Sequence, residues 1–308
     1  MKRTRQSWKR FLIGIGVPVL LVSSSVPAAV TEKGKVQQPR NIYELIYSFQ
    51  FTFQRLLKPE EMKLYETRGP KEIQRINPEL YARISADVKR WTDEWIQHTR
   101  TTRDPIPEKR LSDGQQLAVK IEEMLARYFQ ELGWPYRPMQ VVFIRPRDFI
   151  DEHNRDKTTG GMFIPFYPDA FFATIDWPIP LELVLVHESL HFNAAEGPFG
   201  SSLIEGTTDT SARYLVRKFE LMSPSDLWRA ESYPLERKGV ETILEKMMER
   251  TGRSREQALE VLLETYLTGR QEAMTKIFGE RAWNRVLRLS SAQRGAWQTG
   301  KIEKALGE

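Results

Sequence analysis

The sequence predicts an α+β protein that is mainly helical. Three observations carry this. Apolar residues recur at helical spacing over most of the 308 residues. Short runs rich in β-formers occur only in the middle of the chain, at Met139–Ile144 and Ala170–Ile175. Beyond Ser223-Pro224 no strand pattern recurs. A hydrophobic fraction of 40% with 11% aromatics supplies a sizeable core and excludes a disordered chain.

The N-terminus has its own logic. Lys2, Arg3, Arg5, Lys9 and Arg10 precede an apolar run from Phe11 to Val22, and Ser23 to Ala29 is built of small residues, Val and Pro. This is the three-part pattern of a secretory signal peptide. The apolar run is shorter than the roughly 20 residues a spanning helix needs. Residues 1–28 therefore read as a signal peptide or an N-terminal anchor, and the membrane is a partner only if the segment stays uncleaved. The expected location is secreted, periplasmic or cell envelope. The segment holds five basic and no acidic residues, which accounts for the whole formal charge of +5. The remainder has no basic surplus, so nucleic acid is not an expected partner. The absence of Cys excludes disulfides and thiolate chemistry.

Residues 29–41 read as a linker and 42–111 as an N-terminal helical region. Ile42, Leu45, Ile46, Phe49, Phe53 and Leu56 keep helical spacing, and short helices start at Pro59 and Pro70. Asn77 is an N-cap with Pro78 at the first helical position, for a helix to about Thr99. Its Leu80, Ile84, Val88, Trp91 and Trp95 form an apolar face, read as core, and His98 sits at its polar end. Residues 100–111 read as a loop. A helix runs from the cap Ser112 to Leu132 and ends at Gly133. Residues 150–161 read as a mobile loop, and Met162–Tyr167 as a cleft lining or a packed segment. Pro178 and Pro180 open a helix from Leu181 to about Ala194. Another covers roughly Ser202 to Leu221. Further helices are expected at 224–231, 239–251, 254–267, 270–278 and 280–289. The expected division is a core at 112–221 and a C-terminal helical subdomain at 222–308.

The chemistry concentrates at His187-Glu188-Ser-Leu-His191. The chain has four His, and two of them lie four apart on one helix. Positions i and i+4 share a face, so both imidazoles reach one ion. Zinc accepts neutral imidazole nitrogen, and Glu188 beside it can take a proton from a water that the ion acidifies. Val184, Leu185, Val186, Leu190 and Phe192 make this a buried helix, where two His and a Glu without partners would be costly. A catalytic zinc needs a third protein ligand and an open position. The candidates are Glu196, Glu205 and Asp209. Glu205 and Asp209 are one turn apart on the next helix, so a carboxylate at Asp209 could instead hold the second nitrogen of a ligating His.

His-Glu-x-x-His followed by a helix bearing Glu-x-x-x-Asp resembles the gluzincin metallopeptidases, over roughly residues 112–220. The element order helix, strand, loop, strand, helix resembles the zincin fold. The resemblance implies one Zn2+ held by His187, His191 and Glu205, with Glu188 as general base and Asp209 orienting a ligand. It implies a peptide or protein substrate laid by strand addition on an edge strand, here Ala170, Phe171, Phe172, Ala173 and Thr174. It implies a transition-state donor, for which Tyr214 and His153 are candidates. The interval from His191 to Glu205 is shorter than in the best-known gluzincins. Gly206-Thr-Thr-Asp209 also resembles the Gly-Thr-x-Asp motif of aspzincins, which would make Asp209 the third ligand, but position 212 is Ala where that group has Tyr. The metzincin pattern lacks its third His, and an intramembrane protease lacks a spanning segment. The expected function is an exported zinc metallopeptidase. The alternatives are a non-catalytic zinc-binding scaffold of the cell envelope and a metal-free helical protein.

Overall fold

A computed structural model describes residues 42, 44–45, 49, 57–62, 73–102, 105–145, 160–162, 166–167, 170–175, 179–195, 198–230, 232–292 and 296–307. The signal segment, the linker, His153 and Glu196 lie outside the described residues. The fold is α+β and mainly helical, as expected. The described residues fall into two compact units, which interleave along the chain instead of following one another. Those within Met1–Gln115 and Gln140–Trp177 form one, and those within Gln116–Met139 and Pro178–Glu308 form the other.

The first unit contains α1 (Pro78–Thr102), the start of α2 (Glu108–Glu131), and the strands β1 (Gln140–Ile144), β2 (Gly161–Met162) and β3 (Ala170–Thr174). Asn77 caps α1, its Oδ1 accepting from the Leu80 amide at 3.2 Å. Leu80, Ile84, Val88 and Trp95 enter the core with Ile42, Leu45 and Phe49, and Trp91 packs partly buried against it. His98 is exposed. The α2 helix starts at Glu108, not Ser112, because the Leu111 amide already closes a turn on the Pro107 carbonyl at 3.0 Å. Glu-Lys-Arg-Leu are good helix formers once Pro107 is passed. Of the Met162–Tyr167 run, Phe166 and Tyr167 are buried. The Ser85 hydroxyl donates to the Phe166 carbonyl at 2.5 Å, and the Tyr167 hydroxyl donates to Asp93 at 2.9 Å. These two residues pack.

The sheet corrects one expectation. Its order is β1-β3-β2, with β1 parallel and β2 antiparallel to β3. Ala170–Thr174 is thus the central strand of the described sheet, with partners on both edges and all five residues buried. Where β2 pairs with it, at Phe172 and Ala173, β3 has no open edge on which to add a substrate strand.

The second unit contains the rest of α2 and the helices α3 (Leu181–Asn193), α4 (Ser201–Lys218), α5 (Pro224–Arg229), α6 (Pro234–Thr251), α7 (Arg255–Thr268), α8 (Glu272–Phe278), α9 (Glu280–Ser291) and α10 (Thr299–Gly307). The α6 helix begins at Pro234, earlier than expected, since proline is well placed at a first helical position. Ser254 and Gln257 form a reciprocal capping box on α7. The α10 helix was not foreseen. Its Ile302 and Leu306 are buried. The α4 helix lies at the centre, packed against α3, α6, α7 and α9. That place in the packing explains why Gly206, Thr207, Thr208, Thr210, Ser211 and Ala212 are all small and all buried.

Candidate metal centre

The α3 helix starts after Pro180 and buries Leu183, Val184, Leu185, Val186, His187, Ser189, Leu190 and Phe192. It is apolar nearly all round, so neighbouring elements cover it on most sides. The Glu122 carboxylate, on α2, accepts from the Ser189 hydroxyl at 3.2 Å, the Met139 amide at 3.1 Å and the Tyr136 hydroxyl at 2.5 Å. Burial raises the Glu122 pKa, against the pull of those hydrogen bonds. Asn193 fixes the helix end by exchanging hydrogen bonds with the Arg137 backbone at 2.6 and 3.2 Å. The histidines therefore stand on a helix that is anchored along its length.

On that helix, the His187 and His191 Nε2 atoms lie 2.9 Å apart. Glu205 Oε2, from the first turns of α4, is 3.5 Å from the first and 3.4 Å from the second. These three residues form a group whose ligand atoms all fall within 4.8 Å of one another, and it could hold a metal ion. Glu205 is 5% exposed, and neither of its oxygens has a hydrogen-bond partner of ordinary geometry among the described residues. A buried carboxylate in that state is costly, and a cation between it and two imidazoles removes the cost. Burial alone would raise the Glu205 pKa, but the charge of His191 and contacts to both imidazoles outweigh it and hold the carboxyl below its ordinary range.

The far sides of the imidazoles are also engaged. His191 Nδ1 is 2.8 Å from the Tyr266 hydroxyl on α7 and 3.5 Å from Thr208 Oγ1. A neutral imidazole with its proton on Nδ1 donates there and leaves the Nε2 lone pair free. Burial keeps the Tyr266 phenol protonated far above its usual range. His187 Nδ1 faces Asp209 Oδ1 at 3.9 Å, too long for a hydrogen bond. The oxygens of Asp209 serve other donors. Ser232 Oγ donates to it at 2.6 Å and Arg213 Nε at 2.7 Å, and Arg237 Nε is 3.1 Å away. Asp209 is not among the converging ligand atoms. Glu188 is half-buried next to His187. Its carboxyl is pushed up to about 7 by burial, with His191 lowering it and Glu205 raising it further.

Tyr214 is not at this centre. It is nine residues after Glu205 on α4, two and a half turns at 3.6 residues per turn, and so faces the opposite way. Lys218 Nζ donates to its hydroxyl at 3.0 Å, and Glu260 lies 3.5 Å from it. Two other tyrosines, which the local pattern did not single out, are present instead. Tyr266 is one. Tyr233 is the other, with its ring 5.5 Å from that of His187 and only 7° from parallel. Burial first, then the charges of Glu205, Glu188 and Asp209, push its phenol well above its usual range.

Gly206 explains how Tyr233 gets there. A Cβ on Gly206 would lie 2.5 Å from the Glu236 carbonyl oxygen and 2.8 Å from Val240 Cγ2. The first turn of α6 thus rests on the α4 backbone directly after Glu205, which brings the residue preceding α6 over His187. Gly206→Ala is expected to destabilise the fold by about 1–3 kcal/mol, the usual cost of overpacking, measured by urea denaturation. An unchanged midpoint would contradict this close approach. No protein-family model, no curated protein and no solved structure matches this chain.

Proposed function

We propose that the chain is an exported zinc metallopeptidase of the gluzincin type that hydrolyses peptide bonds in peptide or protein substrates. The observation that carries this is the convergence of His187 Nε2, His191 Nε2 and Glu205 Oε2 with Glu188 alongside. Two imidazoles and a carboxylate are a zinc donor set, and three donors about 2.0–2.2 Å from a tetrahedral ion stand roughly 3.3–3.5 Å apart. The observed separations of 2.9, 3.4 and 3.5 Å fit that triangle after slight relaxation. When bound, zinc supplies a Lewis acid and brings the pKa of water to about 7.

The chain's own residues do the rest. His187, His191 and Glu205 hold the ion. Tyr266 fixes the orientation of His191. Glu188 takes the proton of the attacking water and delivers it to the leaving amine. The basic, apolar and small-residue pattern of 1–28 supports export, and no helix among the described residues is long and apolar enough to cross a membrane.

The test is metal analysis with activity. Purified protein is expected to carry about one zinc, as a mononuclear site requires. Chelation by 1,10-phenanthroline should abolish hydrolysis of denatured casein, and added zinc should restore it. Protein that carries less than about a tenth of an equivalent at neutral pH, and binds none on addition, rejects the reading. Full zinc occupancy with no cleavage of casein or of a mixed peptide library favours the scaffold alternative.

A further inference from the structure

Tyr233 has backbone angles φ 45 and ψ 46, the left-handed region that non-glycine residues rarely enter. It also precedes Pro234, and a residue before proline is normally extended. Such a conformation persists only where the surroundings impose it.

Besides the close approach of α6 at Gly206, one side chain and its partners bind the segment that enters Tyr233. Arg213 lies two turns after Glu205 and one turn after Asp209, so the three share a stripe along α4. Its Nε donates to Asp209 Oδ2 at 2.7 Å. Its two remaining nitrogens donate to the carbonyls of Leu227 at 2.8 Å and of Ala230, and to Ser232 Oγ at 2.9 Å. Ser232 in turn donates to Asp209 Oδ1 at 2.6 Å. Arg237 Nε closes the far side of the turn by donating to the Ser232 carbonyl at 2.9 Å. The guanidinium therefore ties three points of the segment entering Tyr233 to the helix that carries Glu205. A rigid planar fork can do this, whereas a lysine ammonium reaches fewer partners.

We infer that Arg213 is a positioning residue: through Asp209, the Leu227 and Ala230 carbonyls and the Ser232 hydroxyl it holds Tyr233 in the left-handed conformation that lays its ring on His187, and so keeps the metal-binding triangle assembled. The inference rests on the metal-centre reading and extends it to residues outside the ligand set. Arg213 bonds to Asp209, Leu227, Ala230 and Ser232 and not to the three ligands. It acts only through Tyr233, whose ring limits rotation of the His187 imidazole.

The test uses Co2+ as the probe, titrated into the full-length, metal-stripped protein and followed by visible absorption. Tyr233→Ala and Arg213→Lys should each weaken Co2+ binding by about tenfold, the lower end of what outer partners of metal ligands contribute. The double variant should bind Co2+ no more weakly than Tyr233→Ala alone, because both act through one ring. Ser232→Ala loosens the same clamp without removing a charge and serves where Arg213→Lys fails to fold. Additive losses in the double variant would overturn the inference, since Arg213 would then act by another route. A lowered Tm with unchanged Co2+ affinity in Arg213→Lys and Ser232→Ala would overturn it too. If the parent protein itself gives no Co2+ spectrum, the metal-centre reading falls and takes this inference with it.

Discussion

Replacing Glu188 by Gln is expected to leave the metal content unchanged and to lower hydrolysis of denatured casein by about 10²–10⁴-fold, the usual worth of a general base. The side chains have nearly the same shape, so the packing of α3 is preserved. Gln has no basic oxygen to take the proton of the attacking water. The metal should remain because the ligand atoms that converge are those of His187, His191 and Glu205, which the substitution leaves in place. The position of Glu188 next to His187 on an anchored helix makes the comparison clean. Zinc content and rate, measured on one preparation, separate the two effects. Near-parental activity would remove Glu188 from its assigned role, and loss of zinc would make it a ligand.

Asp209→Ala is expected to cost about 3–5 kcal/mol of stability, measured by urea denaturation of the metal-stripped protein. Asp209 is 1% exposed, and it neutralises both Arg213 and Arg237. Truncation leaves two guanidinium groups facing a buried gap and removes the acceptor for Ser232. Using apoprotein matters. If Asp209 were the third ligand, as the Gly-Thr-x-Asp resemblance allows, its loss would fall mainly on metal affinity. A stability loss under about 1 kcal/mol without metal, paired with lost zinc binding, would support that rival.

The legible part of the centre was the part encoded locally. His187 and His191 are four apart, and their common face follows from helix geometry alone. Glu205 was legible because it lies on the very next helix, whereas Asp209, expected to orient a ligating His, is turned to Arg213 and Ser232 instead. Tyr233 and Tyr266 were not legible. They come from α6 and α7 by way of helix packing, and periodicity within one segment says nothing about which helix it meets. Gly206 carried the missing information, as a glycine inside a helix marks a close neighbour, but it does not say which one. Tyr214 failed for the opposite reason. It shares a helix with Glu205, yet nine residues is a half-integral number of turns, which arithmetic on the sequence could have shown. The strand misreading has a similar cause. Ala-Phe-Phe-Ala-Thr lacks the apolar–polar alternation of a strand with one open face, and such a run belongs in the middle of a covered sheet.

The burial of α3 on nearly all sides has a thermodynamic consequence. The two imidazoles are ordered by the same core contacts that hold the unit together, so the unfolded chain retains no comparable pocket. An ion that binds only the native state adds RT ln(1 + [M]/Kd) to stability, about 2.7 kcal/mol at a hundredfold excess over Kd. Occupancy and folding are then linked functions of the free concentration of any ion that the group of His187, His191 and Glu205 holds. Where the ion is scarce, the stability increment falls as the logarithm of 1 + [M]/Kd, while the hydrolysis proposed above would fall with the fraction of sites occupied.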